Sequence, residues 1–78
     1  MKIATVIGKL EPKCYAPGLE EICWIQVRID KELIVAADPV GAAPGQLVLL
    51  AQGPAAGHYR MELCTDALVV AVLEDNNS

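Results

Sequence analysis

Between Ile22 and Asp30 the chain alternates: Cys23, Ile25, Val27 and Ile29 fall on one side, Trp24, Gln26, Arg28 and Asp30 on the other. Successive side chains of an extended backbone point to opposite faces, so a period of two predicts a strand with one buried and one wetter face. Lys2 to Leu10 reads similarly, with Ile3, Thr5 and Ile7 against Ala4, Val6 and Leu10. The polar run Asp30-Lys31-Glu32 predicts a short connection, so Leu33 to Asp38 returns as the second arm of a hairpin.

Proline and glycine punctuate the rest. Pro12 and Pro17-Gly18 mark a loop between the first two strands, and Asp38-Pro39-Val40-Gly41 breaks the pairing after the third. Pro44-Gly45 has the residue order of a type II turn, because proline presets the negative φ at the first central position and glycine accepts the positive φ at the second. Leu47 to Ala51 follows as an apolar strand. Gly53-Pro54-Ala55-Ala56-Gly57 predicts a single helical turn, with proline at its start and glycine past its end. Ala67 to Leu73 is the last strand, and Glu74 to Ser78 a polar tail. The expected architecture is one all-β domain over residues 1–78, a small five-stranded barrel with one short helical turn.

Two strands do not fit a lone barrel. Leu47 to Ala51 and Ala67 to Leu73 are apolar on both faces, as in sheets covered on both sides, and no segment is long enough to supply covering helices. Large exposed apolar patches mark association surfaces, so a closed homo-oligomer is expected. Of Val69 and Val70, one should face the interior and the other a subunit contact.

Composition narrows the functions. The chain has 54% hydrophobic residues but no Phe, one Trp and two Tyr, and its net charge is −4. An acidic chain poor in aromatics lacks the basic groove and stacking platform of a nucleic-acid binder. The N-terminal residues lack the apolar run and cleavage site of a signal peptide, and Ala67 to Leu73 is far too short to cross a bilayer as a helix. Three unevenly spaced cysteines, Cys14, Cys23 and Cys64, read as reduced thiols in the cell interior. Cys23, on the apolar side of its strand, is expected to be a small buried hydrophobe.

Catalytic chemistry is poorly represented. The only serine is Ser78, in the tail, and the only histidine, His58, sits in a loop expected to be solvated. Cys14, Cys23, His58 and Cys64 lack the close ligand pairs of a metal site. Neither an enzyme nor a cofactor is expected. Asp38, just before Pro39, is expected to accept hydrogen bonds from the backbone of the following turn. Trp24, among Gln26 and Arg28, reads as a subunit contact or rim residue.

Several stretches resemble a known family in the right order. Met1 to Gly8 resembles its opening strand. The run Ala36-Ala37-Asp38-Pro39-Val40-Gly41-Ala42-Ala43-Pro44-Gly45-Gln46-Leu47-Val48-Leu49 resembles its central motif, an Asp before a Val-Gly-Ala-Gly-x-Gly turn and an apolar strand. Gly53-Pro54-Ala55-Ala56 resembles its Gly-Ser-Ser-Ala-Arg loop, and Thr65 to Asp75 its closing strand. The family is that of the pentameric vertex proteins of bacterial microcompartments.

The resemblance implies a barrel similar to the oligonucleotide/oligosaccharide-binding fold, assembled as a cyclic homopentamer that caps the corners of a polyhedral shell in the cytoplasm. It also implies a central pore and lateral contacts to hexameric shell proteins. The short chain is most similar to carboxysomal members, which points to carbon dioxide fixation. The residues matching the family's loops become the candidates for subunit contact or pore lining: Asp38, Val40, Gly41, Ala42, Ala43, Gly45, Gly53, Pro54, Ala55 and Ala56. Ala43 replaces the middle glycine of the turn, which implies an ordinary φ there. Gly57 stands where the loop's arginine would be, and Arg60 is the candidate substitute. The alternative reading is a small monomeric barrel serving as a chaperone or ligand-binding module, since Pro44-Gly45-Gln46-Leu47-Val48-Leu49 faintly resembles a stretch of hydrogenase-maturation chaperones. That family carries Cys after the initiator Met, where this chain has Lys2.

Overall fold

Ile25 and Val27, from the alternating segment, are fully buried, and the strand carrying them is one of five. The computed structural model describes residues 1–17, 19–53 and 67–74. Within them lie β1 (Lys2–Leu10), β2 (Trp24–Ile29), β3 (Glu32–Ala37), β4 (Leu47–Gln52) and β5 (Ala67–Leu73). They close into a barrel in the order β1-β2-β3-β5-β4. Four junctions are antiparallel. The fifth, between β3 and β5, is parallel and rests on one pair, Ala37 with Leu68. The helical turn expected after Gly53 lies outside the described residues.

A five-stranded barrel has a narrow lumen, because diameter grows with strand number. Ala4, Ala36 and Ala67 therefore share the interior with Val6, Ile25, Val27, Val48, Leu50 and Val69. Ile29, Ile34, Ala42 and Val72 pack against this core from its ends.

A second cluster lies on the outside of the barrel. Ala37, Ala51 and Leu68 are buried there under Ile22, Trp24 and Val70. Directly paired residues share a face, and the Trp24–Ala37 and Ala51–Leu68 pairs put all four on the outer surface. Trp24 and Val70, both half-buried, pack against the chain's own outer surface. The chain thus hides part of its apolar surplus by itself.

Two irregularities reset the alternation. Val6 pairs with Val27 and Gly8 with Gln26, so Ile7 is an extra residue in β1. Beyond it, Leu10 pairs with Trp24 and joins the outer face, against the expectation that it would point inward with Ala4 and Val6. Likewise Leu49 pairs with Ala71 but Leu50 with Val69, leaving Val70 unpaired in β5. Such bulges bend and twist a strand locally, which helps so few strands close. Cys23 precedes β2 and is half-buried, not a full member of the core.

Candidate functional site

The candidate loop runs from Asp38 to Gln46 and joins β3 to β4. Its anchor is Asp38, which is 3% exposed at the end of β3. The Asp38 N–H donates to the Cys23 carbonyl at 2.8 Å, tying the start of the loop to the entry of β2. Asp38 Oδ1 accepts from the Val40 and Gly41 N–H groups at 3.1 and 3.0 Å. Oδ2 accepts from the Ala42 N–H at 2.8 Å. Pro39 has no N–H to offer, so the carboxylate takes the next three donors in the chain. The structural role expected for Asp38 is the one observed.

Gly41 has φ 89°, a conformation glycine tolerates because it has no Cβ. That turn directs half-buried Ala42 onto the barrel core. Ala43 to Gln46 then form the type II turn. The Gln46 N–H donates to the Ala43 carbonyl at 3.2 Å, and Gly45 has φ 88° at the required position. The Gln46 side chain reinforces the turn, its Oε1 accepting from the Ala43 N–H at 2.7 Å. Ala43 has an ordinary φ, since Asp30 is the one non-glycine with positive φ among the described residues. Finally Val6 bonds both ways with the loop, donating to the Gln46 carbonyl at 2.9 Å and accepting from the Gly45 N–H at 2.8 Å. The loop is pinned at both ends and in the middle.

The loop presents Val40, Gly41, Ala43 and Gly45 to solvent while Asp38 and Ala42 hold it from beneath. Its display surface has small residues, two fixed turns and no charge, suited to close backbone approach by another protein surface and not to acid–base chemistry. Among the described residues no group of three or more His, Cys, Asp or Glu side chains comes together. Gly53, exposed with φ 59°, closes the far end of β4. The end of the first loop at Gln46 and the start of the second at Gly53 are therefore about 23 Å apart along β4, at ~3.3 Å per strand residue. Pro54, Ala55, Ala56 and Arg60, and with them His58 and Cys64, lie outside the described residues.

Leu47 and Leu49 point outward on β4, the bare apolar face expected of that strand, and what the sequence missed lies beside and across from it. Ile3 on β1, paired to Leu49, extends the same outer surface. Ile3 is 60% exposed and Leu47 39%. Across the barrel, Leu33 and Val35 project from β3 at 53% and 48%. The alternation of β1 and β3 held this signal. Ile3 and Val35 are apolar where a solvated face would be polar.

A narrow closed barrel with a rigid, uncharged loop and bare apolar faces defines a class of protein built to pack against other protein. The protein-family model described as "Ethanolamine utilisation protein EutN/carboxysome" matches residues 1–74. The chain belongs to that family, the EutN/CcmL family of bacterial microcompartment shell proteins, in agreement with the resemblance to its vertex proteins. Among solved structures it is similar to CcmL of Nostoc sp. PCC 7120, with 29% identity over 99% of this chain and 93% of that one and a TM-score of 0.85. It is similar to EutN from Escherichia coli, with 27% identity over 100% and 90% of the two chains and a TM-score of 0.82. The GrpN pentameric microcompartment shell protein from Rhodospirillum rubrum shares 25% identity over 100% and 98%, with a TM-score of 0.78. No curated protein sequence matches the chain.

Proposed function

We propose that this protein is a non-enzymatic shell component that assembles as a homopentamer and caps the vertices of a bacterial microcompartment in the cytoplasm. The observation that carries the reading is the family match over nearly the whole chain, 1–74, on a barrel that leaves apolar outer faces bare. The mechanism is geometric. Five copies around an axis impose curvature that a flat array of hexameric shell proteins lacks, and closed rings satisfy every contact surface. The pentameric shell protein GrpN aligns over all of this chain, which supports five as the number. The loop Asp38–Gly45 and the segment Gly53–Ala56 are the proposed contact or pore-lining elements, with Arg60 as the substitute for the family arginine.

The compartment we propose is a carboxysome. Its support is the motif Ala37-Asp38-Pro39-Val40-Gly41-Ala42 together with 29% identity to a carboxysome subunit, CcmL. The cargo of native shells containing this chain tests this directly. A carbon-dioxide-fixing enzyme inside supports it, and ethanolamine- or propanediol-degrading enzymes would reassign the compartment. Native mass spectrometry tests the assembly: a particle of five 8.3 kDa chains is expected. A stable monomer at high micromolar concentration would return the function to a monomeric barrel module.

A further inference from the structure

A ring of more than two copies joins two unlike patches on each subunit, because every contact is head to tail. We infer that these patches are the outer face of β1 and β4, centred on Ile3 and Leu47, and the outer face of β3, centred on Leu33 and Val35, and that each seats on the other in the neighbouring copy. This inference rests on the ring reading above and specifies its contact.

Four observations single out this pair. The patches carry four of the most exposed large aliphatic side chains, on strands whose opposite faces fill the barrel. They are separate surfaces. On one side β2 lies between them with Gln26 and Arg28 outward, paired to Val35 and Leu33. On the other side lies the outer surface already buried by Trp24 and Val70. Each copy therefore offers two separate apolar patches, the number that a head-to-tail ring needs.

Shape and charge fit the same pairing. The first patch is not flat: beside Leu47 lies an open hollow of about 480 Å³ lined by Gly45, Gln46, Leu47, Val72, Leu73 and Glu74. The second patch is a ridge, two side chains projecting from alternate positions of one strand. Glu74 borders the hollow and Arg28 flanks the ridge, so the seated pair brings opposite charges to the rim. The hollow also borders the type II turn, which joins the Asp38-anchored loop to this contact.

The test uses two double variants, Ile3→Glu/Leu47→Glu and Leu33→Glu/Val35→Glu, each altering one exposed patch only. Native mass spectrometry of either alone at about 10 µM should show monomer, a loss of association of at least 100-fold. An equimolar mixture should show a one-to-one heterodimer and nothing larger, since one intact junction remains and neither outer end can propagate. Circular dichroism checks that both variants keep the barrel. If either fails to fold, the Ile3→Thr and Val35→Thr variants replace them, and the same mixing is read as a dissociation constant tighter for the mixture than for either alone. A pentamer from either Glu variant alone, or a mixture of folded variants that stays monomeric, overturns the pairing while the unaltered protein still forms its ring. A monomeric unaltered protein instead sinks the ring reading itself.

Discussion

Asp38→Ala removes the anchor of the loop and isolates what it contributes. The carboxylate accepts three backbone N–H donors at 2.8–3.1 Å from a site only 3% exposed. A hydrogen bond to a charged group contributes about 1.5–3 kcal/mol, which would suggest roughly 5–9 kcal/mol for three. The full figure does not apply, because Val40 and Gly41 are exposed and their N–H groups can turn to water. Ala42 is packed on the core and loses its partner with less recourse. We expect a loss of about 3 kcal/mol, against a total on the order of 4–12 kcal/mol for a chain of this length. At ~4–8 °C per kcal/mol this lowers Tm by roughly 12–24 °C. Asp38→Asn keeps one acceptor oxygen but turns an amide donor toward an N–H, so it should fall between. Thermal melting by circular dichroism measures all three at one fixed protein concentration, because association itself raises Tm. A loss under about 0.5 kcal/mol for Asp38→Ala would show that water replaces the carboxylate fully and that the loop stands on its other anchors.

Two further predictions concern the turns. Asp30 has φ 55° in the β2–β3 hairpin, so Asp30→Gly should raise stability by up to ~1 kcal/mol, read as a higher denaturation midpoint in urea. Gly45→Ala should lower that midpoint by the equivalent of about 1–2 kcal/mol, since an added Cβ meets nothing within 4 Å and only the backbone at φ 88° objects. Gly8→Ala, equally unobstructed but without a positive φ, should be neutral or stabilising by up to ~1 kcal/mol, which makes it the internal control.

Much of the fold was legible because its signals are local. Five apolar segments, separated by Pro12 to Gly18, Asp30-Lys31, Asp38 to Gly45 and Gly53-Pro54 in the sequence, became five strands with ends displaced by a residue or two. The Asp38 anchor was legible for the same reason, since acceptor and donors lie within four residues. A barrel was expected, but the order in which its strands pair to close it was not legible. The single parallel contact of Ala37 with Leu68 joins residues far apart in the chain, and no pattern within either strand specifies it. Nor could the sequence show that Ile22 and Trp24 fold over Ala37 and Leu68, because that depends on which strands become neighbours.

The two bulges explain the errors of side and also the shape that matters for assembly. Alternation is a parity rule, and one extra residue reverses it for everything beyond. Ile7 in β1 moves Leu10 to the outer face beside Trp24. Val70 in β5 lets Val69 and Val72 both face the core although three positions apart. In a β5 of unbroken alternation Val72 would turn outward and Leu73 inward, exchanging the side chain that reaches the core near Ala42. The bulge therefore divides β5 into a stretch that the chain covers itself and an end, Ala71 to Leu73, that runs into the hollow beside Leu47. The apolar surplus of this strand thus has two destinations, and only the second calls for a neighbour.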